Sequence, residues 1–246
     1  MSASLTQITR CRPYVRSLID TGFYSEIPMH RGVVERVELA GGYTVELSLS
    51  GDVFDGSAVC EVRLVTAWLL LKSEAVPVAI LDGVLLSSGE GKRYSLADAC
   101  DLVSEAVQAL VHELVRTCHQ DFGAVLEAGS VFVITRLEVR DKFRSSELSQ
   151  SIVEVSCTWL RSKCRLALLT LQPFPLQYEN TAPVLGSRHY EPYWRALSAD
   201  VEKLSSYYSY HFDCIAASLE STLLIKPLSG YKCALSRAGW SFIAAE

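Results

Sequence analysis

The chain has no CxxC pair, no histidine at zinc-like spacing from another ligand, and no tract of low complexity. Those gaps exclude a zinc ribbon or finger, a thioredoxin-type redox motif and a disordered linker. An excess of basic charge is missing too. With 23 Lys and Arg against 28 Asp and Glu, the net charge of −5 argues against nucleic-acid binding, which needs clustered cations to displace phosphate counterions. The longest apolar run, near "TAWLLL", is far short of the roughly 20 residues that span a bilayer, so no membrane segment is expected. The opening "MSASLTQITRCRPYVR" lacks the apolar core of a signal peptide. A cytoplasmic protein with reduced cysteines is therefore expected, and the eight cysteines, at 11, 60, 100, 118, 157, 164, 214 and 233, read as small buried hydrophobes.

What is present is an ordered globular composition, 49% hydrophobic and 21% charged over 246 residues. "RGVVERVELAGGYTVELSLSG" alternates apolar and polar residues around Gly41-Gly42, the pattern of a β-hairpin with a tight glycine turn. "AVCEVRLVTAWLLL" and "VPVAILDGVLLSSG" are rich in β-branched residues and lack a helical period, which predicts an antiparallel meander through about residue 87. From Leu96 to Val115 the apolar residues recur at three and four, which predicts a helix near 95–118 with Ser95 as its N-cap and Gly123 past its end. The remainder reads as strand near 130–139, helix near 146–162, parallel strand near 165–171, helix through "YWRALSADVEKLSSYYSY" and two closing strands. Residues 1–125 thus form a strand-rich N-terminal part and 126–246 a second half, together one compact α/β (α+β) domain.

Neither a Ser-His-Asp order, nor a Walker loop, nor a Rossmann glycine pattern stands out. Three pieces do carry a pattern: "VITRLEVRDKFRSSELSQSIVEV", "RLALLTLQPFP" and "ADVEKLSSYYSYHFDC". In that order they resemble the GNAT superfamily of acyl-CoA N-acyltransferases. The resemblance covers roughly residues 130 to 226. It implies a mixed, mostly antiparallel sheet flanked by helices, whose central strand leads into a turn of pattern Arg/Gln-x-x-Gly-x-Gly/Ala and then a helix. Arg144 matches the first motif position, while Glu147 and Ser149 stand where the small residues belong and His211 replaces the glycine before Phe212. A carboxylate at 147 facing a phosphate about 4 Å away would cost roughly 4 kcal/mol at an effective dielectric near 20.

The resemblance implies acetyl-CoA, or another acyl-CoA, as co-substrate and a primary amine as acceptor. The main chain of Leu137 and Val139 would meet the pantetheine arm. Arg144, Ser145, Ser146, Glu147, Leu148 and Ser149 would surround the diphosphate at a helix start, where free amides and the helix dipole favour an anion. Tyr207 aligns with the family's acid and Glu138 is the candidate base. Each residue also has a plain reading: serines capping a helix, a tyrosine packing at a helix end, a glutamate on the polar side of a strand. The alternative function is a catalytically inactive GNAT-fold protein working by macromolecular recognition. A homodimer is compatible with either, and no metal is expected.

Overall fold

The computed structural model describes residues 33–52, 60–74, 76–88, 100, 103–120, 122–144, 147–178, 181–228, 230–237 and 239–244. Four strands come first, β1 (Val33–Glu38), β2 (Tyr43–Asp52), β3 (Cys60–Leu71) and β4 (Ala79–Ser88), each antiparallel to its predecessor. The β1–β2 turn uses Gly41 and Gly42 at φ 77° and 78°, a left-handed backbone that side chains disfavour. The expected meander is present.

Helices α1 (Glu105–Thr117) and α2 (Phe122–Ala128) follow, then β5 (Ser130–Val139), α3 (Leu148–Lys163), β6 (Leu166–Leu171), α4 (Tyr190–Phe212), β7 (Ile215–Ala216) and β8 (Leu224–Pro227). The eight strands form one sheet in the order β1-β2-β3-β4-β5-β6-β8-β7. Every neighbouring pair is antiparallel except β5 and β6, which are parallel and joined by α3. The chain is thus mixed α/β, with a large, mostly antiparallel sheet and four helices among its described residues.

Both faces of the sheet are covered, which explains why its central strands read as near-continuous apolar runs. On one face Leu47, Leu69, Leu81 and Phe132 pack under α3 (Ile152, Leu160) and α4 (Tyr208, Phe212). On the other, Val62, Val84 and Val131 meet α1 (Leu114) and α2 (Val125). The β4–β5 pairing carries the sheet across from the N-terminal part to the second half.

Three expectations need correction. The helix near 95–118 is described from Glu105, with Ser104 as N-cap, its Oγ accepting from the Val107 amide at 3.2 Å; Ser95 lies outside the described residues. Gly123 does not end it but sits inside α2. Beyond β8 a further antiparallel pair, β9 (Tyr231–Leu235) and β10 (Trp240–Ala244), closes the second core. Its Trp240 is fully buried and donates Nε1–H to Thr117 Oγ1. Gly239 lies so close to α1 that a Cβ there would stand 1.9 Å from the Thr117 carbonyl oxygen.

Candidate functional site

β5 and β6 pair from Ser130 and Leu166 to Ile134 and Leu171, and there they part. Two features of the sequence cause the parting. Pro173 and Pro175 follow β6 directly, and without an amide proton they cannot extend a ladder. On β5 the register with β4 slips: Ile134 faces Gly83 and Arg136 faces Asp82, so Thr135 has no opposite residue. Such a bulge bends its strand and increases its twist. Gly83 admits it, since a Cβ at that position would meet the Val133 carbonyl oxygen at 2.5 Å.

The parting leaves a cleft of about 320 Å³. One wall is β5 at Leu137, Glu138 and Val139; the other is α4 at Asp200, Lys203, Leu204 and Tyr208. The segment 174–177 forms the floor, and Arg144 closes the end toward α3. A smaller lobe of about 30 Å³ lies at the fork itself, between Ile134 and Leu171.

The bulge also decides which way β5 side chains point. Leu137 and Val139 are partly buried against the core under α3 and α4 and line the cleft. Glu138 is 3% exposed and forms an ion pair with Arg136 Nε at 3.3 Å. Arg136 in turn stands opposite Asp82 on β4. Burial pushes the Asp82 carboxyl up to about 6 from its ordinary 3.8, with Thr66 and Arg136 pulling it down and Glu138 adding to the rise. Glu138 therefore pairs with the guanidinium of Arg136, and Asp82 lies within reach of the charge of both.

Arg144 bonds Asp141 at 2.8 Å and donates from Nε to the Val139 carbonyl oxygen at 3.2 Å. Ser145 and Ser146 lie outside the described residues. Glu147 is the N-cap of α3, makes no side-chain cap bond and is exposed, so its carboxylate stands in water. The Leu148 side chain is buried in the core. Ser149 is buried too, and its Oγ shares a hydrogen bond of 2.6 Å with Tyr207 Oη.

That bond turns Tyr207 toward α3, and its ring also packs on His211, one turn further along α4, at 4.4 Å. Its neighbour Tyr208 is the tyrosine that lines both lobes. Burial, together with Tyr207 and Cys214, raises the Tyr208 phenol to about 12, so it stays a proton donor at neutral pH. Tyr210 is 82% exposed. Opposite β5, Asp200 Oδ2 accepts from Tyr178 Oη at 2.8 Å and from Gln177 Nε2 at 3.2 Å, while Oδ1 accepts from Lys203.

Searches against protein-family models, curated proteins and solved structures return no match. The site therefore rests on its own geometry. Among the described residues no helix is long and apolar enough to cross a membrane, and no three His, Cys, Asp or Glu side chains gather as a metal site.

Sequence reasoning brought together Leu137, Glu138, Val139 and Arg144, which do line one cleft. It missed Asp82, Asp200 and Lys203. For Asp82 the signal was legible: a carboxylate inside the apolar run "VAILDGVLL" must be buried with it. Asp200 and Lys203 show only the i, i+3 spacing common to any solvated helix face.

Proposed function

We propose that the chain is a GNAT-like N-acyltransferase that moves an acetyl group from acetyl-CoA to a primary amine within a ternary complex. The observation that carries this reading is the parting of the parallel strands β5 and β6 beside the start of α3. It leaves Leu137 and Val139 beside a cleft, where extended main chain would suit an arm that alternates amide donors and acceptors. Arg144 lies at the end of that cleft and, with the start of α3 a few residues on, suits a diphosphate. Glu147, exposed to water, imposes little of the repulsion a facing carboxylate would bring.

The co-substrate supplies an activated thioester, whose C–S bond breaks as the amine nitrogen forms its new bond to the acyl carbon. This chain's residues then manage two protons. The proton lost by the amine passes directly or through water to the carboxylate of Glu138, which lines the cleft and is held by Arg136. Tyr208, which lines both lobes of the cleft, gives its proton to the departing sulfur.

A second reading has its own support. Arg144 already occupies the Val139 carbonyl, and Ser149 already holds Tyr207, as expected of a cofactor-free GNAT-like protein that acts by macromolecular recognition. Thermal melting and calorimetry with CoA separate the two. Under the transferase reading CoA at a hundred times its dissociation constant stabilises the chain by about 2.7 kcal/mol, and Arg144→Ala weakens binding. No shift in melting temperature and no heat at millimolar CoA, or tighter binding in Arg144→Ala, would favour the recognition reading.

A further inference from the structure

We propose that β1, at one edge of the sheet, pairs antiparallel with β1 of a second copy of this chain about a two-fold axis through Val37, joining two sheets into one. The inference goes beyond the transferase reading and does not depend on it, since β2, β3 and β4 lie between β1 and the parting of β5 and β6.

Among the described residues β1 has a strand on one side only. Its backbone shows which residues face the open side. Leu39 donates its amide to the Tyr43 carbonyl across the turn, and in an antiparallel ladder every second residue bonds the same neighbour. Glu35 and Val37 therefore bond β2, while the amides and carbonyls of Val34, Arg36 and Glu38 point away from it. The side chains of those three are exposed as well, Val34 at 49%. A row of outward amides is a template for another strand.

The charges decide which strand fits and in what register. Residues directly opposite in an antiparallel pair lie on one face, so a two-fold axis between two copies of β1 passes through a residue. An axis at Glu35, Arg36 or Glu38 would set like charges directly opposite each other. At Val33 or Val34 it would leave Arg36 and Glu38 facing positions outside β1. At Val37 the pattern complements itself: Arg36 faces the partner's Glu38, and Glu38 faces the partner's Arg36. Both residues bond outward, so four backbone hydrogen bonds accompany the two charge pairs. On the other face Val37, which already packs against the core under α3, meets its own copy. Arg36 bonds Glu46 at 2.7 Å through one nitrogen and is 72% exposed, so its guanidinium has further N–H groups to offer.

Sedimentation equilibrium of the native chain, Arg36→Glu and Glu38→Arg tests the pairing. The native chain is expected to form dimers as its concentration rises. Each variant alone sets like charges opposite at both positions and should weaken the dimer at least about tenfold. An equimolar mixture of the two variants restores opposite charges at both positions, as does the double variant, and each should regain the dimer. Recovery in the mixture also shows that both variants fold. A native chain that stays monomeric at millimolar concentration overturns the proposal, as does a dimer that neither variant weakens. Weakening in both variants with no recovery in the mixture or the double variant overturns the register and the pairing with it.

Discussion

Tyr207 and Tyr208 are adjacent in sequence and differ in every physical respect that matters to a proton donor. Tyr207 spends its hydroxyl on Ser149, while Tyr208 lines the cleft with a phenol raised to about 12 by burial. Tyr208→Phe should therefore lower turnover of acetyl-CoA and amine by tenfold or more with CoA affinity nearly unchanged, because the ring stays and only the donor is lost. Tyr207→Phe should do the converse, leaving turnover near native and lowering stability by about 1 kcal/mol through the lost bond to Ser149. Steady-state kinetics paired with urea midpoints read both outcomes. A turnover loss confined to Tyr207→Phe would return the acid to the position the sequence first suggested.

At the scale of elements, α3 decides how a phosphate would be received. Its N-cap Glu147 makes no cap bond and faces solvent. Glu147→Gly should leave CoA affinity within about twofold, since no facing charge is removed, and should cost a few tenths of a kcal/mol as a favourable charge leaves the helix start. A large gain in affinity by calorimetry would mean that the carboxylate turns inward when the ligand arrives. Strand, helix and parallel strand between 130 and 171 were legible because each carries its own period: β-branched run, three-four spacing, second apolar run. The choice between Tyr207 and Tyr208 was not, because neighbouring helix residues differ by only about 100° and both rings abut the core. The β9–β10 pair was also missed. "YKCAL" and "WSFIA" are short, and what fixes them is distant in sequence: Trp240 on Thr117, and Tyr231 on the Ala128 carbonyl. No local period encodes such contacts. The break at Ser104 was hidden for the opposite reason, since the apolar spacing runs on through residues that the cap excludes from α1.

For the whole molecule, the buried Asp82 ties stability to acidity. Its carboxyl is raised in the folded chain, so the stabilisation it brings is fully present below its ordinary value of 3.8 and is lost as pH rises through about 6. Between those limits the native chain should lose up to about 3 kcal/mol from this group alone. Asp82→Asn should flatten that slope, matching the native chain near pH 4 and melting higher above pH 6.5. Parallel melting curves for the two proteins across the range would show that Asp82 is not the titrating group. The bulge opposite Asp82 and Gly83 has an evolutionary side as well. Thr135 faces no residue of β4, so losing that one codon would leave Ile134 opposite Gly83 and Arg136 opposite Asp82, with no side chain changing sides. Only the bend that steers β5 away from β6 would go. A lineage carrying this sheet would thus stand a single in-frame deletion from a relative with the same strand order and a straighter β5, in which Pro173 and Pro175 alone would hold the two strands apart.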